Sequence, residues 1–307
     1  MTNQLCATLW LGFDKVVEAR AALQELFDRS EQDGLSADAV ASAIKAFEDQ
    51  KSDYKNLLNT SATLPDGRAI YATDYLALCK LAADNNLEAE NVLGKVEKNS
   101  LNSTGRVREI NLSYLKLSNI SALKHLTAVA TLNISHNRIV DISPIQNLTT
   151  LNVLYLSNNR IVDISPIKNL KALTLINFNY NRIVNISPIQ KLAALTELYL
   201  MNNQIIDISA VQNLTALTQL GLRNNQIEDI SSIKNLLKLR GVYLGNNQIS
   251  DIRAIQNLTE LTSLYIERNK IADLSPVLNL NNLETLSADN NPLSDASKAI
   301  LAARSQT

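Results

Sequence analysis

The sequence predicts an α/β solenoid, a stack of short parallel strands and short return turns, preceded by an α-helical domain. Three observations predict it. Asparagine falls at Asn137, Asn159, Asn181, Asn203, Asn225, Asn247, Asn269 and Asn291, each 22 residues after the last. Around each one the frame apolar-x-x-apolar-x-apolar-x-x-Asn-x-apolar recurs, as in Leu195, Leu198, Leu200, Asn203 and Ile205. The first hundred residues lack this repeat and carry helical periodicity instead. The charge divides at the same place. Residues 1–100 hold ten Lys and Arg against sixteen Asp and Glu, and residues 101–307 nineteen against fourteen.

In chain order, the N-terminal domain or cap spans 1–100. Val16, Ala19, Leu23, Leu26 and Phe27 fit one helix face, and Val40, Ile44, Phe47, Tyr54 and Leu58 another. "LPDGR" at 64–68 is a turn, followed by a helix from about Thr73 to Asp84 and a shorter one around Leu87–Val96. Glu31, Asp33 and Gly34 match three positions of a calcium-binding loop. Arg29 and Val40 occupy its first and last ligand positions, so Ser36 capping a helix is the better account.

The solenoid spans 101–293 in nine 22-residue repeats. Its first turn is atypical: Val107, Ile110, Leu112 and Leu117 keep the frame, but Leu115 replaces the asparagine. Each turn supplies a strand of about three residues, such as Leu154-Tyr155-Leu156. Side chains alternate, so Leu154 and Leu156 face the core and Tyr155 the open side. The asparagine follows where the chain bends, and its amide satisfies backbone groups left unpaired there. "DISPI" at 141–145 and 163–167 starts each return turn, with serine as N-cap, proline in the first helical position and aspartate bonded locally. Residues 294–307 form a C-terminal helical cap that turns Ala296, Ile300 and Leu301 onto the last turn.

The chemistry inventory predicts no enzyme and no cofactor. There is no glycine-rich phosphate loop and no metal-ligand spacing, and His125 and His136 are not paired in sequence with a nucleophile. One aspartate per turn is too sparse for a calcium ladder, so no metal is expected. Cys6 and Cys79 are too few for a disulfide framework. A reduced setting is the natural reading, with Cys79 a free helix-core thiol. No apolar run approaches the ~18–20 residues needed to span a bilayer, and the N-terminus lacks the basic residues of a secretory signal.

The open strand face is the candidate protein-binding surface. Val153, Tyr155, Leu175, Glu197, Tyr199, Met201, Arg223, Tyr243, Tyr265 and Glu267 are residues that the repeat does not dictate. Tyrosine with nearby arginine and glutamate is the composition of interface hot spots. The alternative account is that tyrosine suits strands without any ligand. Lys116, Arg138, Arg160 and Arg182 form a basic rim able to receive an acidic partner. That column lacks aromatic interleaving and the basic excess is modest, so nucleic acid is not expected.

With "LTTLNVLYLSNNRIVDISPIKNL" in view, the chain resembles the internalin-type 22-residue leucine-rich repeats of bacterial proteins. The resemblance covers residues 107–293. It implies a curved parallel sheet on a concave face, short 3₁₀ or α turns on the convex face, and a protein bound on the concave side. Unlike that family, the chain shows no secretion signal, and its first domain exceeds a small cap. A monomeric, non-catalytic binding protein is expected, either cytoplasmic or delivered into a host cell by a specialised secretion system. A regulatory subunit of an enzyme such as a protein phosphatase is the first alternative. An enzyme with a site in the helical domain is the second.

Overall fold

The computed structural model describes residues 42, 44–49, 52, 61–97 and 99–304. The chain divides into two compact units, Met1–Glu109 and Ile110–Thr307. Residues 44–49 are helical. The expected helix over Val16–Phe27, the ends of the next one, the calcium-loop region and Cys6 lie outside the described residues.

In the first unit "LPDGR" closes a β-hairpin, which the helical reading did not anticipate. Strand β1 (Ser61–Thr63) pairs antiparallel with β2 (Ala69–Tyr71), Ala62 opposite Ile70. Gly67 takes the left-handed conformation the turn requires (φ +87°), and Asp66 accepts the Arg68 N–H. Helix α1 (Ala72–Asp84) buries Tyr75, Leu78, Leu81 and Ala82, and is followed by α2 (Ala89–Leu93). Cys79 lies buried in α1 and is disulfide-bonded, which corrects the expectation of a free thiol. Asp74 is fully buried and accepts hydrogen bonds from the Arg106 Nε at 3.0 Å and the Val107 N–H at 2.7 Å. Burial raises its carboxyl above the ordinary range, and the Arg106 guanidinium opposes that rise.

The second sheet runs in chain order: β3 (Glu109–Asn111), β4 (Thr131–Asn133), β5 (Val153–Tyr155), β6 (Leu175–Asn177), β7 (Glu197–Tyr199), β8 (Gln219–Gly221), β9 (Gly241–Tyr243), β10 (Ser263–Tyr265) and β11 (Thr285–Ser287). Neighbours are parallel and one repeat apart, with Leu154 opposite Ile176 and Tyr155 opposite Asn177. The strand begins one residue before the expected window, but pairing continues through Leu156, whose N–H donates to the Asn177 carbonyl at 2.8 Å. Leu151, Leu154, Leu156, Ile161 and Ile164 are all buried, as are their counterparts in the following turns up to the last, where Leu283, Leu286 and Leu293 are half-buried. Burying each such side chain contributes about 1.5–3 kcal/mol.

Three side-chain ladders hold the turns in register. In the first, each asparagine bonds within its own turn and to the turn before it. The Asn247 amide nitrogen donates to the Leu222 and Leu244 carbonyls at 3.0 and 2.9 Å, and its oxygen accepts the Ile227 N–H at 3.0 Å. The residue before each asparagine, and Tyr114 before Leu115 in the first turn, is left-handed: Tyr114, His136, Asn158, Tyr180, Asn202, Asn224, Asn246, Arg268 and Asn290, with φ between 55° and 61°. Asparagine adopts this conformation readily. Other side chains hold it at about 1 kcal/mol or more.

The second ladder is threonine: Thr174, Thr196 and Thr218 each donate a hydroxyl to the carbonyl one turn back, at 3.0–3.2 Å. The third is aspartate, and it corrects the capping scheme. The 3₁₀ turn Ser165–Asn169 has no side-chain cap from Ser165 itself. Instead the Asp163 carboxylate accepts both the Ser165 N–H and its hydroxyl, each at 2.8 Å. Serine is the first helical residue and aspartate the cap, because only the residue two before the turn can aim an oxygen at its free N–H.

Helix α3 (Asp295–Arg304) closes the described chain with polar rather than apolar contacts. Ala296 is exposed, and Ile300 and Leu301 are only half-buried. Ser297 is the buried residue: its hydroxyl accepts the Leu274 N–H and donates to the Ala272 carbonyl, both at 2.9 Å. Arg304 donates to the Val277 carbonyl at 2.7 Å. A last turn exposes unpaired backbone groups as well as apolar side chains, and the helix meets that need first.

Two measurements test these ladders. Asn247→Ala leaves buried carbonyls and one N–H unpaired and should lower unfolding free energy by about 2–3 kcal/mol in chemical denaturation. Backbone N–H groups hold the Asp163 and Asp273 carboxyls below their ordinary pKa, so their contribution is present above about pH 4 and lost as pH falls further. Asp163→Asn with Asp273→Asn should flatten this acid limb, since Asn185 already caps its turn through the same bond to the Ser187 N–H.

Candidate functional site

Outward columns follow from strand alternation. The central one runs Tyr155, Asn177, Tyr199, Gly221, Tyr243 and Tyr265, each opposite the next. Val153, Leu175 and Glu197 stand in register in the column before it. Nine of the ten sequence-chosen residues are half-buried or exposed on this face; Glu267 alone is buried.

Packing across the face is aromatic and charged. The Tyr243 and Tyr265 rings stack at 5.1 Å between centroids, 13° from parallel. The Tyr199 hydroxyl donates to the Glu197 carboxylate at 2.9 Å. Burial and then Glu197 raise the Tyr199 phenol far above its ordinary pKa, so the hydroxyl remains a donor at neutral pH. Arg223 pairs with Glu267 at 3.2 Å across two repeats. The other Glu267 carboxylate oxygen is buried without a hydrogen-bond partner, an arrangement that adds little to stability.

Three glycines explain how these side chains lie flat. A Cβ at Gly245 would overlap the Glu267 carboxylate, and one at Gly241 the Gln219 amide. A Cβ at Gly221 would come within 2.6 Å of Met201 Cε and 3.0 Å of the Tyr199 ring. Each glycine is therefore a trough for a long side chain from a neighbouring turn. The sequence reading of the strand face did not include these glycines. Three glycines confined to outward strand positions were the available signal.

The basic rim lies at one edge of the sheet, beyond the left-handed residues. Lys116, Arg138, Arg160 and Arg182 are exposed, and none makes an ion pair among the described residues. Also among the described residues, no three His, Cys, Asp or Glu side chains converge as a metal site would need, and no helix is long and apolar enough to cross a membrane.

This geometry defines a leucine-rich-repeat protein. The family model described as Leucine Rich repeats (2 copies) matches residues 127–169, 193–235, 215–259 and 237–279, and Leucine rich repeat matches 149–205. The repeats are of the internalin type. Internalin C2 from Listeria monocytogenes is 27% identical with a TM-score of 0.59, covering 72% of this chain and 92% of that one. An internalin (inlF) from the same organism is 33% identical with a TM-score of 0.49, covering 64% and 72%. A leucine-rich-repeat protein of Leptospira interrogans is 26% identical with a TM-score of 0.62, covering 71% of this chain and 55% of that one. No curated protein sequence matches the chain. Leucine-rich repeats are in general scaffolds for protein interaction, and typically not enzymes.

Gly245→Ala should displace Glu267 and break its pair with Arg223, visible in a crystal structure of the variant. The overlap is with the end of a flexible chain, so unfolding free energy should stay within about 1 kcal/mol of the parent.

Proposed function

We propose that this chain is a non-catalytic scaffold that binds a protein partner on its strand face, from Val153 to Glu267. The observation that carries the reading is the run of half-buried tyrosines, Tyr155, Tyr199, Tyr243 and Tyr265, beside the exposed Arg223. Rigid aromatic rings bury large area at low entropic cost, and Tyr199 adds a hydroxyl held neutral. Val153, Leu175 and Met201 supply apolar contact at the same level. Glu197 and Glu267 orient Tyr199 and Arg223 from behind.

The disulfide at Cys79 suits an oxidising compartment and so favours neither of the two settings weighed from the sequence, since the bacterial cytoplasm and a host cytosol are both reducing. A bacterial effector acting on a host protein is consistent with repeats of internalin type.

Tyr199→Ala combined with Tyr243→Ala should abolish capture of the partner from host-cell lysate, with unchanged circular dichroism. Equal capture by parent and double variant would remove the strand face from the interaction.

A further inference from the structure

Three columns on one edge of the solenoid change chemistry along its length, the third one turn later than the other two, and the repeat demands none of the changes. In the first four turns the left-handed residue is Tyr114, His136, Asn158 and Tyr180; in turns five to seven it is Asn202, Asn224 and Asn246. Two residues on, Lys116, Arg138, Arg160 and Arg182 give way to Gln204, Gln226 and Gln248. Two further on, Ser118 in turn one is followed by Val140, Val162, Val184 and Ile206 in turns two to five and then by Glu228 and Ser250, while turn eight returns to Arg268 at the left-handed position and Lys270 on the rim. These four aliphatic side chains are 46% to 57% exposed.

The later turns show how the edge looks when it serves the fold alone. Asn224 donates to Asn202 at 2.8 Å and Asn246 to Asn224 at 2.7 Å, a self-satisfied amide ladder. In the early turns this ladder is reduced to one long contact, Asn158 Nδ2 to His136 Nε2 at 3.5 Å. The Tyr114 ring stacks on the His136 imidazole at 4.1 Å, and Tyr180 stands exposed. Tyrosine and histidine hold a backbone conformation that asparagine would take more easily. Local strain kept at several neighbouring positions marks a surface retained for a purpose other than folding. Beside it run the rim cations without ion pairs and a stripe of exposed valines, a combination that solvent contact does not require.

We infer that this edge of turns one to five is a second docking surface, and that its occupant is an extended acidic–apolar segment of a partner protein. Charge complementarity selects the acidic residues. The parallel basic and aliphatic columns select the alternation, because successive side chains of an extended chain point to opposite sides. Laid along the edge, such a segment aims carboxylates at Arg138, Arg160 and Arg182 and apolar side chains at Val140, Val162 and Val184. Turns stack about 4.8 Å apart, so turns one to five span about 19 Å, the length of roughly six extended residues. This surface is separate from the strand face and does not depend on it.

The test uses the full chain and a fluorescein-labelled peptide of eight residues alternating glutamate with leucine or valine, read by anisotropy. Substitutions borrowed from the later turns leave the fold intact: Arg138→Gln, Arg160→Gln and Arg182→Gln together, and Val162→Ser with Val184→Ser. The arginine triple variant should weaken peptide binding at least tenfold and the valine pair at least threefold. Tyr199→Ala with Tyr243→Ala should change neither, which separates this surface from the strand face. Absence of peptide binding to the parent overturns the inference. So does an unaffected valine pair combined with equal binding of a labelled single-stranded oligouridylate, which would make the rim a phosphate-binding edge instead.

Discussion

Closure of each turn depends on one interaction, the asparagine amide that reaches from its own bend to the neighbouring turn. A three-residue strand cannot satisfy the backbone on either side of it, and the bend points N–H and C=O groups into the core. Asn247 answers several of these groups at once, donating to Leu222 and Leu244 and accepting from Ile227. Neither an apolar nor a charged side chain of that size can both donate and accept. The repeat length follows: strand, bend, return turn and re-entry must bring the next asparagine over the last, every 22 residues.

That constraint divides the residues of a turn into two kinds. Leucine, isoleucine, asparagine and the cap aspartate are committed to the coil. The outward strand positions, the left-handed position and the edge beyond it are free to vary, and both candidate surfaces lie on them. The glycines show how free positions cooperate. Gly221, Gly241 and Gly245 give up their own side chains so that Met201, Gln219 and Glu267 can lie across them. The face becomes a packed layer in which a side chain from one turn fills space left by another. The pair between buried Glu267 and exposed Arg223 is a product of that layer, spanning two repeats.

The ends obey the same rule of backbone satisfaction. Ser297 and Arg304 meet the free carbonyls and N–H of the last return arm. In the first unit, Asp74 accepts from Arg106 and from the Val107 N–H in a fully buried site. In both places a polar side chain satisfies backbone groups that no ladder asparagine reaches.

Much of the solenoid was legible in the sequence, because a fixed period in apolar residues and asparagine admits few structures. Strand position to within one residue, inward and outward alternation and the asparagine role follow from local rules repeated in register. Other features depend on residues that meet only when the coil closes. The burial of Glu267, the glycine troughs, the threonine ladder and the polar cap by Ser297 each involve partners about 22 or 44 residues apart. The aspartate cap was half legible: its partner turn was evident, but which residue begins the 3₁₀ turn is a matter of backbone angle. By itself, then, the sequence determined the repeat, the core and which side chains face outward. Only the tertiary structure decided which of those outward side chains lie down, pair or stand free, because that choice is made by neighbours one and two turns away.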